Sequence, residues 1–362
     1  MSVPVQPMVS ATIDTSALRH NLLAVRRRAP DSRVMAVVKA NAYGHGLVAV
    51  ARALDGADGL AVARVDEGLA LRRAGIGKPV VLLEGVFDAG QLAAAGAAGF
   101  DLVVHCAEQI ELLRACGQLS FKVWLKLDTG MNRLGVSAAD FAAARETLSS
   151  LRSVRGPVHA FTHLARADEP GRGATERQLA RFAAATGAWP GERSIANSAG
   201  LLNFPGARLD WVRPGLMLYG VSPMSGAIGA DHGLKPVMTL GSRVIAVKRI
   251  AVGEAVGYGG TWVASRPTIL AIAAAGYGDG YPRSLASGTQ VLVGGRRAPL
   301  AGRVSMDMLT IDVTGLEPAV APGDPVVLWG EGLPVEEVAA LAGAIPYELL
   351  CGISQRVAAE LR

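Results

Sequence analysis

Cysteine, lysine and charge are all scarce in this 362-residue chain, and each scarcity closes off a class of protein. The three cysteines, Cys106, Cys116 and Cys351, are odd in number and show no Cys-x-x-Cys or Cys/His ligand spacing, which argues against a disulfide framework or a structural zinc. They read as ordinary buried thiols, and no metal is expected. Charged residues make up 19% of the chain against 50% apolar, which excludes disorder in a chain long enough to bury roughly three quarters of its unfolded surface. The longest charge-free stretch, Pro214–Ala230, is broken by Pro223 and several glycines, so it does not read as a spanning helix. The N-terminal MSVPVQPMVSATI has no basic segment ahead of an apolar run, and a cytoplasmic protein is expected. A net charge of +5 raises the question of nucleic acid, but 36 basic residues are interleaved with 31 acidic ones and the densest cluster is only Arg26–Arg28. A solvated helix face is the better reading. Only six of the basic residues are lysines (Lys39, Lys78, Lys122, Lys126, Lys235 and Lys248), so each buried lysine needs an explanation.

What is present is a strong βα rhythm. Eight short β-branched runs read as strands: Val34–Val38, Leu60–Val65, Val80–Leu83, Leu102–His105, Val123–Leu127, Val158–Thr162, Arg193–Ala196 and Trp211–Val212. Helical segments alternate with them (Asp66–Arg73, Asp88–Ala95, Glu108–Ala115, Ala138–Leu148, Glu176–Ala185), and Ser16–Arg27 precedes the first strand with Asp14 and Thr15 as cap candidates. Eight such units over about 200 to 250 residues fit a (β/α)8 TIM barrel, with the doubly wound sheet as the competing reading. After Lys235 the texture changes to β-branched runs between glycine turns: Ser242–Ile250, Thr268–Ala273, Gln290–Val293, Met308–Val313 and Pro325–Leu328. The expected division is a barrel domain over residues 1–235 and a C-terminal β domain over 236–362 whose texture reads as all-β, and the expected fold class is α/β, a (β/α)8 TIM barrel followed by a mostly-β domain. The N-terminal Val3–Ile13 run is a candidate extra strand for that second domain, residues 1–11 pairing with it.

Several strand ends carry polar side chains. The first strand reads VMAVVKANAYGHG, an apolar run ending in Lys39 and a turn that holds Tyr43. In a barrel the C-terminal strand ends form the active-site mouth, where a lysine can condense with an aldehyde and later act as a base; otherwise it merely snorkels out of the barrel top. The fifth strand gives LKLDTGMNRLG with Lys126 and Arg133, and the sixth gives HAFTHLARADEP with His163 at its end. Alone, Arg133 is a surface residue and His163 a satisfied core histidine. The seventh ends in Asn197-Ser198-Ala199 and the eighth runs into Arg213-Pro214-Gly215. Loops after the last two strands of such barrels commonly bind phosphate, and a serine hydroxyl with a glycine N–H suits that task.

Taken in order, AVVKANAYGHG, DTGMNRLG, Thr162-His163, NSA, VRPGLMLYG, GYGGTW, GYGDGYPR and GRVSMDM resemble the alanine racemases, a family of pyridoxal-phosphate barrel enzymes with a C-terminal β domain. The resemblance runs from Thr12 to Val357. It implies interconversion of L- and D-alanine by a two-base mechanism with pyridoxal 5'-phosphate, supplying D-alanine for peptidoglycan or allowing its catabolism. It implies that Lys39 holds the cofactor covalently and that Tyr43, Ser198, Gly215 and Leu216 serve its phosphate, with Asn197 nearby. His163 would pack beside the pyridine ring and Arg213 would face its nitrogen. An arginine does not readily give up a proton, which leaves that nitrogen unprotonated and favours reprotonation over transamination. Racemisation needs acid/base groups on both faces of Cα. Lys39 is one, and by resemblance Tyr258 of a partner subunit is the other, in a homodimer whose sites are shared. Met306 of the partner subunit, with Asp307 beside it, and Arg133 would meet the substrate carboxylate, Arg133 also meeting the cofactor's phenolic oxygen, and Tyr277 would narrow the entrance. Lys126, a cation close to Arg133, is often carbamylated in that family.

Two positions depart from the common pattern. Gln355 stands where many members have a tyrosine that supports the phosphate, and Ser305 stands where they have cysteine. Asn132 replaces a glycine found in some relatives. Competing functions are a racemase of broader specificity, a barrel-type pyridoxal-phosphate decarboxylase, and a non-catalytic cofactor-binding barrel. The last predicts a chain that ends near the barrel, and the decarboxylase has no role for Tyr258.

Overall fold

The computed structural model describes residues 7–362, so the first four residues of the expected Val3–Ile13 strand lie outside the described part. A short strand, β1 (Ser10–Ile13), leads into the helix Thr15–Arg28. Asp14 caps that helix, its Oδ1 accepting the Ser16 and Ala17 amides at 2.8 and 3.0 Å. Two compact units follow from the pattern of contacts: residues 18–218 with 223–225, and residues 226–362 with the segments up to Ala17 and 219–222.

The first unit is a closed parallel barrel of β2 (Arg33–Val37), β3 (Gly59–Val62), β4 (Val80–Leu82), β5 (Asp101–Val104), β6 (Val123–Lys126), β7 (His159–Phe161), β8 (Arg193–Ser194) and β9 (Trp211–Val212). β9 returns to pair with β2 in parallel, Val34 opposite Val212, and this closure excludes the open doubly wound sheet. The strands of the first half are buried along their length, Val34, Ala36, Leu60, Val62, Val80, Leu82 and Val103 having no exposed surface, which is why they read as continuous apolar runs. Trp124 fills the barrel among His159, Phe161 and Trp211, edge-on to the last two.

The second unit is not all-β. Its sheet runs β15 (Arg296–Pro299), β14 (Gln290–Val293), β17 (Pro325–Trp329), β10 (Met238–Ile250), β1 and β18 (Ala358–Leu361), while β13 (Thr268–Ala273) pairs with both β10 and β16 (Leu309–Asp312). β11 (Ala255–Val256) and β12 (Trp262–Val263) make a separate hairpin. Two helices, Val335–Ala342 and Pro346–Cys351, correct the all-β expectation. The first is apolar on one face only, burying Val335, Val338 and Ala339, and it is too short to show a clear helical period. β1 lies antiparallel to β10 and parallel to β18.

The cysteines also differ from expectation. Cys106 and Cys116 are half-buried and Cys351 is exposed. Each sits at a helix end, Cys106 and Cys116 flanking Ala107–Ala115 and Cys351 closing Pro346–Cys351, and helix ends reach the surface.

At the N-terminal rim of the barrel, Asp101 is buried with its nearest cation, Arg155, 4.0 Å away. Burial raises its carboxyl to about 6, against the pull of Lys122, Arg155 and Arg72. The folded state therefore holds a proton there that the unfolded chain gives up near 3.8, so stability falls as pH rises from that value to about 6 and stays reduced above it. Asp101→Asn should gain about 1–3 kcal/mol over the parent at pH 8 and nothing at pH 4. Urea denaturation at the two pH values measures this, and an equal effect at both would show that Asp101 is not held protonated by burial.

Candidate active site

Lys39 leaves the end of β2 half-buried and enters an uncommon backbone. Ala40, Asn41, Ala42 and Tyr43 all have φ between 53° and 55°, one turn of left-handed helix built from non-glycine residues. Such a run costs about 1–2 kcal/mol per residue and persists only if its surroundings enforce it. Three side chains do so. Glu67 Oε1 accepts the Ala40 amide at 2.6 Å while its Oε2 accepts the Ala63 and Arg64 amides; Asn41 Oδ1 accepts the Leu47 amide; His45 Nδ1 lies 3.0 and 2.7 Å from the carbonyls of Ala42 and Tyr43. Burial holds the His45 ring down at about 4, so it is neutral, and those carbonyls require its proton to sit on Nδ1.

Arg213 follows β9 and is buried. Its Nη1 donates to Ser194 Oγ at 2.5 Å, and its Nη2 donates to the carbonyls of Thr162 at 2.6 Å and Ile195 at 3.2 Å, with His163 Nδ1 at 3.5 Å. The guanidinium lies 3.9 Å from the centre of the Phe161 ring. Burial lowers it to about 9, which still leaves it charged at neutral pH. No hydrogen bond among the described residues takes up its Nε–H. Both ring nitrogens of His163 thus face donors at 3.5 Å, Nδ1 the Arg213 guanidinium and Nε2 the Asn197 Nδ2 amide.

Four cations converge at this end of the barrel. Lys126, buried at the end of β6, is lowered to about 8, first by burial and then by Arg133, Arg213 and Lys39, with Asp128 opposing. His163 is held well below its ordinary value by burial and by Arg213, Lys126, Arg133 and Lys39. Arg133 itself is exposed. It sits on a turn made by Asp128, whose Oδ1 accepts the amides of Gly130, Met131 and Asn132. Asn132 has φ +54°, a left-handed conformation in which asparagine is tolerated and glycine is unstrained.

Ser198 Oγ accepts the Gly215 and Met217 amides at 3.0 and 3.3 Å, which leaves its O–H to donate. Asn197 caps the segment, its Oδ1 accepting the Gly200 amide while its Nδ2 donates to Leu164 O. A Cβ at Gly215 would fall 2.5 Å from the Tyr43 hydroxyl oxygen, so only glycine allows that phenol to lie against the backbone there. Lys39, Tyr43, Lys126, Arg133, His163, Asn197, Ser198, Arg213, Gly215 and the buried Leu216 thus all belong to one unit, gathered at the ends of its strands.

Within the second unit Tyr258 is 66% exposed on the turn of the β11–β12 hairpin, and Met306 is 53% exposed. Tyr277, Asp307 and Gln355 are also exposed. The segments that carry Tyr277, Met306 and Gln355 are tied together by Asp279 and Arg356. Arg356 donates to both carboxylate oxygens of Asp279 at 2.7 and 3.0 Å and pairs with Asp307 at 2.8 Å. Neither Asp279 nor Arg356 stood out in the sequence, nor did Glu67, although Asp279 lies inside the matching segment GYGDGYPR.

Comparison with known proteins agrees with this arrangement. The alanine racemase N-terminal domain family matches residues 13–223, and the alanine racemase C-terminal domain family matches residues 237–361. The chain belongs to the alanine racemase family. It is 52% identical over 351 residues to "Alanine racemase, biosynthetic" of Shigella sonnei and of Escherichia coli K12, covering 96% of this chain and 98% of each relative. The crystal structure of biosynthetic alanine racemase from Pseudomonas aeruginosa matches with a TM-score of 0.94 and 47% identity, over 99% of this chain and all of that one. The structure of alanine racemase from Acinetobacter baumannii matches at 0.92 and 39% identity, with the same coverage. The expected fold, barrel followed by a mostly-β domain, is thus the one observed in this family.

Ser198→Ala removes the acceptor from two buried amides, those of Gly215 and Met217. The barrel should lose about 2–4 kcal/mol in urea denaturation, the cost of two orphaned donors. An unchanged midpoint would mean that water replaces the hydroxyl there.

Proposed function

We propose that the chain is a pyridoxal 5'-phosphate-dependent alanine racemase that works as a homodimer. The observation that carries this reading is the set of cations converging on the end of the barrel, Lys39, Lys126, Arg133 and Arg213, with a neutral His163 among them. Such a set suits an anionic cofactor and a carboxylate substrate, and the close approach of Tyr43 to Gly215 beside the Ser198 hydroxyl suits a phosphate. Lys39 would hold the cofactor covalently; Tyr43, Ser198 and the Gly215–Leu216 backbone would hold its phosphate; His163 and Arg213 would hold its ring. When bound, the cofactor delocalises the charge left on Cα once the α-proton is removed.

The chain's own residues do the rest. Lys39 Nζ removes the proton from one face of Cα or returns it there, and the Tyr258 hydroxyl of the partner subunit serves the other face. Arg213 keeps its protons at neutral pH, so it would offer the ring nitrogen a hydrogen bond and no transferable proton. That would keep the group's electron withdrawal modest, which favours return of the proton to Cα. Arg133 and the Met306 amide of the partner subunit would hold the substrate carboxylate. Tyr258, Val263, Met306 and Met308 are apolar or aromatic and between 46% and 66% exposed, and such side chains in one unit support a covering partner. No described helix is long and apolar enough to cross a membrane. The relatives named biosynthetic support a role in supplying D-alanine to wall precursors in the cytoplasm.

Purified protein incubated with L-alanine should approach equal amounts of the two enantiomers on chiral chromatography, and L-serine and L-lysine should turn over far more slowly. Comparable rates on lysine would favour a broader racemase. Lys39→Ala and Tyr258→Phe homodimers should each be nearly inactive. Mixed under subunit exchange, about half the dimers are heterodimers with one intact site in two, so activity should return to about a quarter of the parental rate. No recovery after verified exchange would place both bases in one chain.

Lys126 at about 8 has a neutral fraction that grows from pH 7 to 9, and only the neutral amine adds carbon dioxide. Carbamylation would put an anion beside Arg133 in place of a cation. Carbon-13 NMR with labelled bicarbonate should show a carbamate resonance that strengthens over that range and is absent from Lys126→Met. A resonance equally strong in the variant would remove Lys126 from this role.

A further inference from the structure

The Met306 amide has a fixed direction, and the cause lies in its neighbours. The Ser305 carbonyl accepts the Tyr277 N–H at 3.0 Å, and the Met306 carbonyl accepts the Gly278 N–H at 2.9 Å, with Arg356 Nη2 3.5 Å away. In a trans peptide the carbonyl and the N–H point in opposite directions. Two successive carbonyls held by the 276–280 loop therefore turn the amides of Met306 and Asp307 away from it. No hydrogen bond among the described residues uses either N–H.

Arg356 and Asp279 hold that loop in place. Asp279 is buried, and its carboxylate accepts Arg356 Nε at 2.7 Å, Arg356 Nη2 at 3.0 Å and the Gly276 amide at 2.9 Å, while its carbonyl accepts the Ser354 amide. The approach is so close that a Cβ at Gly276 would strike the carbonyls of Ser305 and Met306, and one at Gly278 would lie 2.8 Å from Arg356 Nη2. The third arm of Arg356 pairs with Asp307 at 2.8 Å. One guanidinium thus joins the segments that carry Tyr277, Met306 and Gln355. It also neutralises Asp307, the carboxylate next in sequence to the amide.

We infer that Arg356, braced by Asp279, is a positioning residue that aims the Met306 amide at the substrate carboxylate and cancels the Asp307 charge that would repel it. The inference rests on the racemase reading and adds to it a residue that touches neither substrate nor cofactor. Removing the guanidinium frees the Met306 peptide to rotate and leaves an uncompensated anion beside a carboxylate site. Both effects weaken carboxylate binding. Neither touches the bases that move the proton, so the loss belongs in KM more than in kcat.

Holoenzymes of the parent, Arg356→Ala, Arg356→Lys and Asp279→Asn are compared for alanine racemisation, and for binding of propionate, which is alanine without its amino group, by calorimetry. Arg356→Ala should raise the KM for both alanine enantiomers and the propionate Kd together by about tenfold, the worth of one charge-assisted hydrogen bond, with kcat within about threefold. Arg356→Lys should fall between it and the parent. Added guanidinium should lower the KM of Arg356→Ala and leave the parent unchanged. Unchanged KM and Kd would overturn the inference. So would a loss of kcat and thermal stability that neither lysine nor guanidinium restores, because Arg356 would then be only a structural brace. If the parent does not racemise alanine, the racemase reading fails before any variant is made, and propionate binding still reports on Arg356.

Discussion

The buried guanidinium of Arg213 is the constraint from which the barrel's chemistry follows. A cation out of water is costly unless its protons find acceptors. Here the acceptors are the carbonyls of Thr162 and Ile195 and the Ser194 hydroxyl, with Phe161 beneath the charge. None of these is an anion, so Arg213 is solvated by dipoles and its charge is not cancelled. Its field adds to burial in acting on the neighbouring side chains: burial first, then Arg213, Lys126, Arg133 and Lys39, keeps His163 neutral, and burial first, then Arg133 and Arg213, draws Lys126 down. A mouth with so little compensating anion is prepared for anions from outside, and a phosphate and a carboxylate are what the racemase reading brings to it.

Position matters as much as charge, and the left-handed turn at Ala40–Tyr43 shows how it is secured. The strain of four non-glycine residues at positive φ is held by groups that do no chemistry, Glu67, Asn41 and His45. Holding Lys39 and Tyr43 on one stiff turn fixes the amine relative to the phenol that lies against Gly215. The same logic recurs in the second unit, where Asp279 and Arg356 hold peptide planes. In both places a carboxylate accepts backbone amides and sets the direction of a neighbouring functional group.

The legible parts of the sequence were those with a local signature. Strands such as Val34–Val37 are apolar throughout because both faces are buried, and Lys39, Lys126, His163 and Arg213 each break such a run near its end, where a barrel presents its chemistry. Tyr258 had no such mark, since a tyrosine between glycines reads equally as a packing aromatic, and only the family resemblance singled it out. Glu67, Asp279 and Arg356 were not legible. Glu67 reaches an amide 27 residues away and Arg356 a carboxylate 77 residues away, and in sequence each looks like an ordinary solvated charge. The helix Val335–Ala342 was missed for a different reason, two turns being too short to separate a helical period from the surrounding strands.

The two units differ in how they treat the residues assigned to catalysis. In the barrel, Tyr43, Lys126, Ser198, Arg213 and Leu216 are buried before any ligand arrives. In the second unit Tyr258, Tyr277 and Met306 stand 40% to 66% exposed. A group that holds a cofactor through every turnover gains from burial, because its geometry and its low-dielectric surroundings are then permanent. A proton donor or a carboxylate contact is needed only while substrate is present. An exposed tyrosine, however, exchanges its proton with water far faster than with carbon unless something covers it. In the proposed homodimer a second copy of the chain would cover the second unit, so that assembly and the exclusion of water would be one event.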